Sequence, residues 1–107
     1  MGIYNEFYVF EKVQEEQDIP LVFYNIHNRA IGLFFKQNIK GFESYKRFPL
    51  TKVHLHNLLL RYENGTLARS VLTKIDEPLL LPNEVRQLRE IKDYIDSGLK
   101  VVYRQIN

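Results

Sequence analysis

Apolar and polar positions change period several times along the chain. Residues 6–13, from Glu6 to Val13, are aromatic and β-branched and predict a strand. Residues 14–18 read as a polar turn, and Ile19 to Tyr24 as a second strand. Pro20 places the start of that strand at a sheet edge, because proline offers no ladder donor. The two strands can pair as a hairpin. Asn25 or Asn28 then caps a helix, with a side chain that accepts from the free amides of the first turn. Ala30, Ile31, Phe34, Phe35, Ile39, Phe42 and Tyr45 recur near helical spacing. Gly32 and Gly41 weaken this helix by about 1 kcal/mol each, so a break between Asn38 and Gly41 is open, and Pro49 ends the segment. Thr51 to Tyr62 reads as a strand. Asn64-Gly65 has the positive-φ tolerance of a two-residue hairpin turn, with a returning strand from Thr66 to Ile75. Residues 76–81 connect to a second helix opened by Pro82 and Asn83. Val85, Leu88, Ile91 and Ile95 form its apolar stripe, and Ser97-Gly98 ends it. Leu99 to Gln105 completes the pattern as a last strand. The expected architecture is α+β, a mainly antiparallel sheet of about five strands with two helices in the order β-β-α-β-β-α-β.

The chain has 107 residues, 45% of them hydrophobic and 13% aromatic, which suits one domain with a real core and excludes global disorder. It contains no Cys, so disulfides, thiolate metal sites and thiol nucleophiles are excluded. No apolar run approaches the roughly 18 residues of a membrane span. The first residues carry neither a basic region nor an apolar stretch, so a secretion signal is not expected and an intracellular location is. On that ground the sequon at Asn64-Gly65-Thr66 is set aside. The net charge of +2 names no partner, but its distribution is uneven. Glu6, Glu11, Glu15, Glu16 and Asp18 outweigh Lys12 at the start. Arg29, Lys36, Lys40, Lys46, Arg47 and Lys52 outweigh Glu43 in residues 19–52. A basic middle beside an acidic end is an electrostatic outline of nucleic-acid contact, and is equally found on solvated helix faces.

Three groups of residues could carry chemistry. Tyr45-Lys46-Arg47-Phe48 interleaves aromatic and basic side chains, which can grip phosphates and stack on unpaired bases. The alternative is an aromatic helix end in the core with its cations outside. His54 and His56, read on a strand, would point to one face and could share a metal. With Tyr94 on a later helix they outline a metal-dependent nickase of single-stranded DNA. A third ligand is missing, however, and Gly98 stands where such enzymes tend to have Lys. The acidic turn at Glu15, Glu16 and Asp18 lacks the preorganised oxygens of a Ca²⁺ site. No glycine-rich phosphate loop, nucleophile elbow or dinucleotide fingerprint occurs. No cofactor is implied.

The order of landmarks resembles the small nonstructural protein of gokushoviruses, microvirus relatives with circular single-stranded DNA. That family opens on an aromatic strand of the type Tyr-x-Val-Tyr-acid-Lys, to which Tyr8, Val9, Phe10, Glu11 and Lys12 are similar with the spacer residue missing. Pro20 and Phe23, then Asn25, Ala30 and Phe34, then Pro49 ahead of Val53 and Leu55 follow in the family's order. Glu63 to Leu67 and Pro78-Leu79 complete it. The likeness covers residues 7–81. It departs at Leu50-Thr51, where the family often has an acidic pair, at Leu58-Leu59-Leu60, and throughout residues 82–97. It implies a non-enzymatic, C-protein-like accessory of a phage in the host bacterial cytoplasm, one that engages the replicative complex and diverts new single strands into procapsids. The expected partners are single-stranded or replicative-form DNA and the viral or host replication complex, with no membrane. Charge and spacing, not the resemblance, nominate Lys36, Lys40, Tyr45, Lys46, Arg47 and Lys52 as the DNA-contacting set. A protein-interaction module, such as an inhibitor of a host factor, is the remaining alternative.

Overall fold

The computed structural model describes residues 2–11, 19–67 and 80–107. Four strands form one sheet: β1 (Tyr4–Phe10), β2 (Val22–His27), β3 (Arg47–Leu50) and β4 (Lys100–Ile106). They lie in the order β2-β1-β4-β3, and every neighbouring pair is antiparallel. Three helices are described: α1 (Arg29–Asn38), α2 (Lys52–Glu63) and α3 (Pro82–Asp96). The fold is therefore α+β and mainly antiparallel, as the pattern predicts, with fewer strands and more helices among the described residues than the whole chain was expected to hold. None of these helices is long and apolar enough to cross a membrane.

The helices pack on one face of the sheet. Ile31, Phe34 and Phe35 of α1, Leu55 and Leu58 of α2, and Leu88 and Ile91 of α3 are buried in a single cluster with Phe7, Val9, Leu50, Val101 and Tyr103. The rings of Phe7, Phe35 and Tyr103 meet at centroid separations of 4.5–6.0 Å, within the range of favourable edge and offset contacts.

A polar network runs through this apolar layer. The buried Tyr103 hydroxyl donates to Asn5 Oδ1 at 2.6 Å and accepts from Gln105 Nε2 at 2.8 Å. Gln105 Nε2 also donates to the Gly32 carbonyl at 2.9 Å. Asn5 Nδ2 donates to the carbonyls of Ile26 and Asn28, both at 2.9 Å. Asn28 is the N-cap of α1, its Oδ1 accepting from Ile31 N–H at 3.0 Å, while its Nδ2 donates to Glu84 Oε1 at 2.9 Å. Glu84 also takes the Leu81 N–H at 2.8 Å, closing the first turn of α3. Gly32 explains itself here: a Cβ at that position would stand 2.5 Å from Ile3 Cγ2 and 3.1 Å from Gln105 Nε2. The lost helix propensity is exchanged for close approach of α1 to the sheet.

Several expected elements are corrected. Residues 51–62 are not a strand: α2 covers Lys52–Glu63. The alternation at Val53, His54, Leu55 and His56 lasts only those four residues. Leu55, Leu58, Leu59 and Tyr62 then follow helical spacing, and Leu is a strong helix former whereas Val53 is the segment's one β-branched residue after Thr51. Asn64-Gly65 ends α2 instead of turning a hairpin. Gly65 has φ 68°, and a helix C-terminus demands the same left-handed residue that a hairpin turn does. Leu67 already has helical backbone, and the rest of the expected returning strand lies outside the described residues, as do residues 14–18 and most of the 76–81 connection. The first helix starts after Asn28, not Asn25, which belongs to β2, and stops at Asn38. Pro49 does not end that helix but sits inside β3, tolerated because β3 is an edge strand. The hairpin of the first two strands, the helix opened by Pro82 and the final strand are present, with Gly98 at φ 90° after α3.

Removing the hub of the polar network should cost more than one ordinary hydrogen bond. Tyr103→Phe keeps the ring contacts but strands Asn5 Oδ1 in a dry layer. Urea unfolding should show a loss of about 1–3 kcal/mol with an unchanged m-value.

Candidate functional site

The basic set comes from the end of α1, the segment leading into β3 and the start of α2. Lys36 lies in the last turn of α1 and Lys40 just beyond its C-cap, where cations oppose the negative end of the helix dipole. Lys52 opens α2. The Tyr45-Lys46-Arg47-Phe48 run is divided by strand alternation. Phe48 is buried in the core cluster, and the Lys46 ammonium lies 5.4 Å from its ring centroid. Arg47 points to the opposite face, its guanidinium 5.1 Å from the centroid of Tyr8. Tyr45 is exposed and holds a φ of 69°, with its hydroxyl donating to the Asn107 carbonyl at 2.9 Å. Lys36, Lys40, Lys46 and Lys52 are all exposed and pair with no carboxylate among the described residues. By contrast Arg89, Lys92 and Arg104 are held by Glu63, Asp96 and Glu6 at 2.8–3.1 Å.

The two histidines do not share a face. On a helix, positions i and i+2 are turned about 200° apart. His54 Nδ1 accepts the Thr51 N–H at 3.1 Å and so closes the N-terminus of α2. Burial pushes its pKa below the ordinary value, consistent with a neutral acceptor there. His56 instead lines a shallow groove of about 320 Å³ between α2 and α3, with Leu59, Leu60, Glu63, Arg89, Lys92 and Asp93. Tyr94 packs partly buried against the core. Among the described residues no group of three or more His, Asp or Glu side chains could hold a metal ion. The strand geometry on which the nickase reading rested is absent.

The sheet face turned away from the helices carries a constellation that segment-by-segment reading missed. The pairing register lines up its side chains in rows across the strands. His27 and Tyr4 form one row, and their rings stack at 4.3 Å. Asn25, Glu6, Arg104 and Arg47 form the next. Phe23 and Tyr8 follow, with ring centroids 5.0 Å apart, beside Val102 and Pro49. Glu6 Oε1 accepts from Arg104 Nε at 2.8 Å and from the Tyr8 hydroxyl at 2.7 Å, and Arg104 Nη2 donates to that hydroxyl at 3.2 Å. Desolvation and the Glu6 carboxylate raise the Tyr8 pKa, which keeps the phenol a donor. Tyr4 and Phe23 remain 43% and 46% exposed, whereas Phe10 and Val102 on the same face are buried. The available signal was the odd–even split of β1, with Tyr4, Glu6 and Tyr8 opposite Asn5, Phe7 and Val9. Its partners Phe23, His27, Arg47 and Arg104 become visible only through the register.

No family model, curated protein or solved structure matches this chain. The fold and these surfaces define its class: an α+β protein with helices on one face of a four-stranded antiparallel sheet.

The cap at His54 has a pH signature. A histidine whose pKa is depressed in the fold binds fewer protons there than in the unfolded chain, so stability is lost as pH falls below about 6.5. Thermal melts between pH 7.5 and 5 should show this decline. His54→Ala should cost about 0.5–1.5 kcal/mol near pH 7.5 and flatten that part of the profile.

Proposed function

We propose that this chain is a non-enzymatic accessory protein of a single-stranded DNA phage. It binds viral DNA, single-stranded or replicative form, or the replicative complex, and couples DNA synthesis to packaging into procapsids in the host cytoplasm. The observation that supports DNA binding best is the contrast among its cations. Lys36, Lys40, Lys46 and Lys52 are exposed without carboxylate partners among the described residues, while Arg89, Lys92 and Arg104 are neutralised locally. Exposed, unneutralised lysines are available to displace the counterions of a phosphate backbone. The phage assignment leans on the gokushovirus-like order of landmarks. That likeness is one of sequence, since the strand expected after Pro49 is β3 followed by α2.

Titration of labelled circular single-stranded DNA at 50 and 200 mM salt, with and without Mn²⁺, tests this reading. Binding should be salt-sensitive, with log K falling by roughly 0.7 per phosphate contact for each unit of log salt. The Lys36→Glu, Lys40→Glu, Lys52→Glu variant should lose affinity about tenfold or more at low salt and show a shallower slope. Nicking in Mn²⁺ would overturn the non-enzymatic assignment. Absence of DNA binding at low salt would overturn the DNA reading and favour a protein partner, such as an inhibited host factor.

A further inference from the structure

We infer that the outer edge of β2 pairs with the same edge of a second copy of this chain, joining the two sheets about a two-fold axis. The contact consists of the backbone edge of Val22–His27, the side chains of Leu21 and Phe23 on one face of the sheet, and the exposed stripe of α3 on the other. It goes beyond the DNA reading above and does not depend on it.

The two edges of the sheet, β2 and β3, are built differently. An edge strand presents a row of backbone donors and acceptors to any other strand, and proteins blunt such edges with short strands, charges or proline. β3 is blunted in all three ways: it has four residues, begins at Arg47 and contains Pro49. β2 has six residues and carries none of these devices. Residues 19–28 contain no Asp, Glu, Lys or Arg, the longest such run in the chain. Among the described residues no strand pairs with the outer edge of β2. The side chains along it are accessible. Leu21 and Phe23 are 54% and 46% exposed, and Asn25 and His27 are exposed as well.

A second copy is the occupant this edge fits. A two-fold axis generates antiparallel pairing, and a two-fold pair closes on itself instead of growing. Because β2 carries no charge, no register of the pair sets like charges against each other. Centred on Phe23, the pairing brings that ring onto the partner's Phe23 and sets Leu21 beside the partner's Asn25. The helix face adds charge complementarity. Glu84 of α3 is bonded to Asn28, at the end of β2, and Glu90 accepts from Tyr24 in its middle, at 2.9 and 2.8 Å. So α3 runs antiparallel along β2. An axis normal to the joined sheet keeps both copies of α3 on the same face, side by side and reversed. Asn83, Arg86, Glu90 and Asp93 are exposed and recur at spacings of 3, 4 and 3, which makes one stripe, and the Glu90–Tyr24 bond puts that stripe on the β2 side of the helix. Its cation precedes its carboxylates. The reversed copy therefore sets each Arg86 toward the partner's Glu90 and the partner's Asp93. Arg86 and Asp93 make no ion pair among the described residues. An unrelated extended peptide would meet the backbone edge but not this reversed order of charge.

The test is sedimentation equilibrium of the full chain from about 1 μM to about 1 mM, a range that suits so short a ladder. The average mass should rise from that of one chain toward that of two. Phe23→Lys and Asn25→Lys bring cations across the axis, and each should weaken association about tenfold or more. Both positions are exposed, so circular dichroism and melting of the dilute variants should stay close to wild type. Arg86→Glu should weaken association as well, and the Arg86→Glu, Glu90→Arg, Asp93→Arg combination should recover it. Amide exchange in β2 should slow as the protein is concentrated. The mass of one chain at every concentration would overturn the inference. So would association that neither lysine variant of β2 weakens, or growth beyond two chains. No DNA is present, so this outcome is separate from that of the DNA titration.

Discussion

The buried Asn5–Tyr103–Gln105 network constrains this fold more than any single apolar contact. It places three polar side chains inside a layer that excludes water, where an unmet group costs more than an ordinary hydrogen bond contributes. Asn5 joins β1 to the end of β2 and the cap of α1, and Gln105 joins β4 to the middle of α1. Asn28 passes the connection to Glu84 and thus to the start of α3. Apolar packing tolerates small slides of a helix over a sheet. A set of directional bonds from two strands to two helix starts does not. The network therefore specifies which register and which helix placement the surrounding apolar residues stabilise.

That placement divides the sheet into unlike faces. The helix side takes Phe7, Val9, Ile26, Leu50, Val101 and Tyr103 into one core. The other side is built from the alternate residues of the same strands. It mixes rings, two opposed arginines and one glutamate, a combination that core formation does not require. The β1 strand serves both faces at once: Asn5 anchors the network inward, and its neighbours Tyr4 and Glu6 belong to the outer rows. A change that shifted β1 by one residue would exchange the two sets, so the outer surface is held in place by the inner one.

Much of the fold was legible in residue order. The aromatic β1, the Asn28 cap, the Pro82 start of α3, the Gly98 stop and the last strand all follow from local chemistry acting over a few residues. The failures share a cause as well. Asn64-Gly65 satisfies two structures that both need positive φ, and four alternating residues from Val53 to His56 imitate a strand before the leucine spacing settles into a helix. The candidate site was legible only in part. Exposed lysines announce themselves by charge, and Arg47 was included among them. Tyr4, Tyr8, Phe23 and Arg104 were not, because in a small aromatic-rich chain such rings are first expected inside.

By itself the sequence determined the α+β class, the single core's raw material, the absence of cysteine chemistry, and the start and stop of α3 at Pro82 and Gly98, since each depends on neighbours within one turn or one strand. The tertiary structure decided that residues 52–63 face the core as a helix, that His54 and His56 part company, and that Arg47 meets Arg104 beside Tyr8. Those outcomes depend on pairing between residues as far apart as Glu6 and Arg104. Strand register sets such pairings, and register is chosen by the buried network and the packed face together, not by any local stretch of chain.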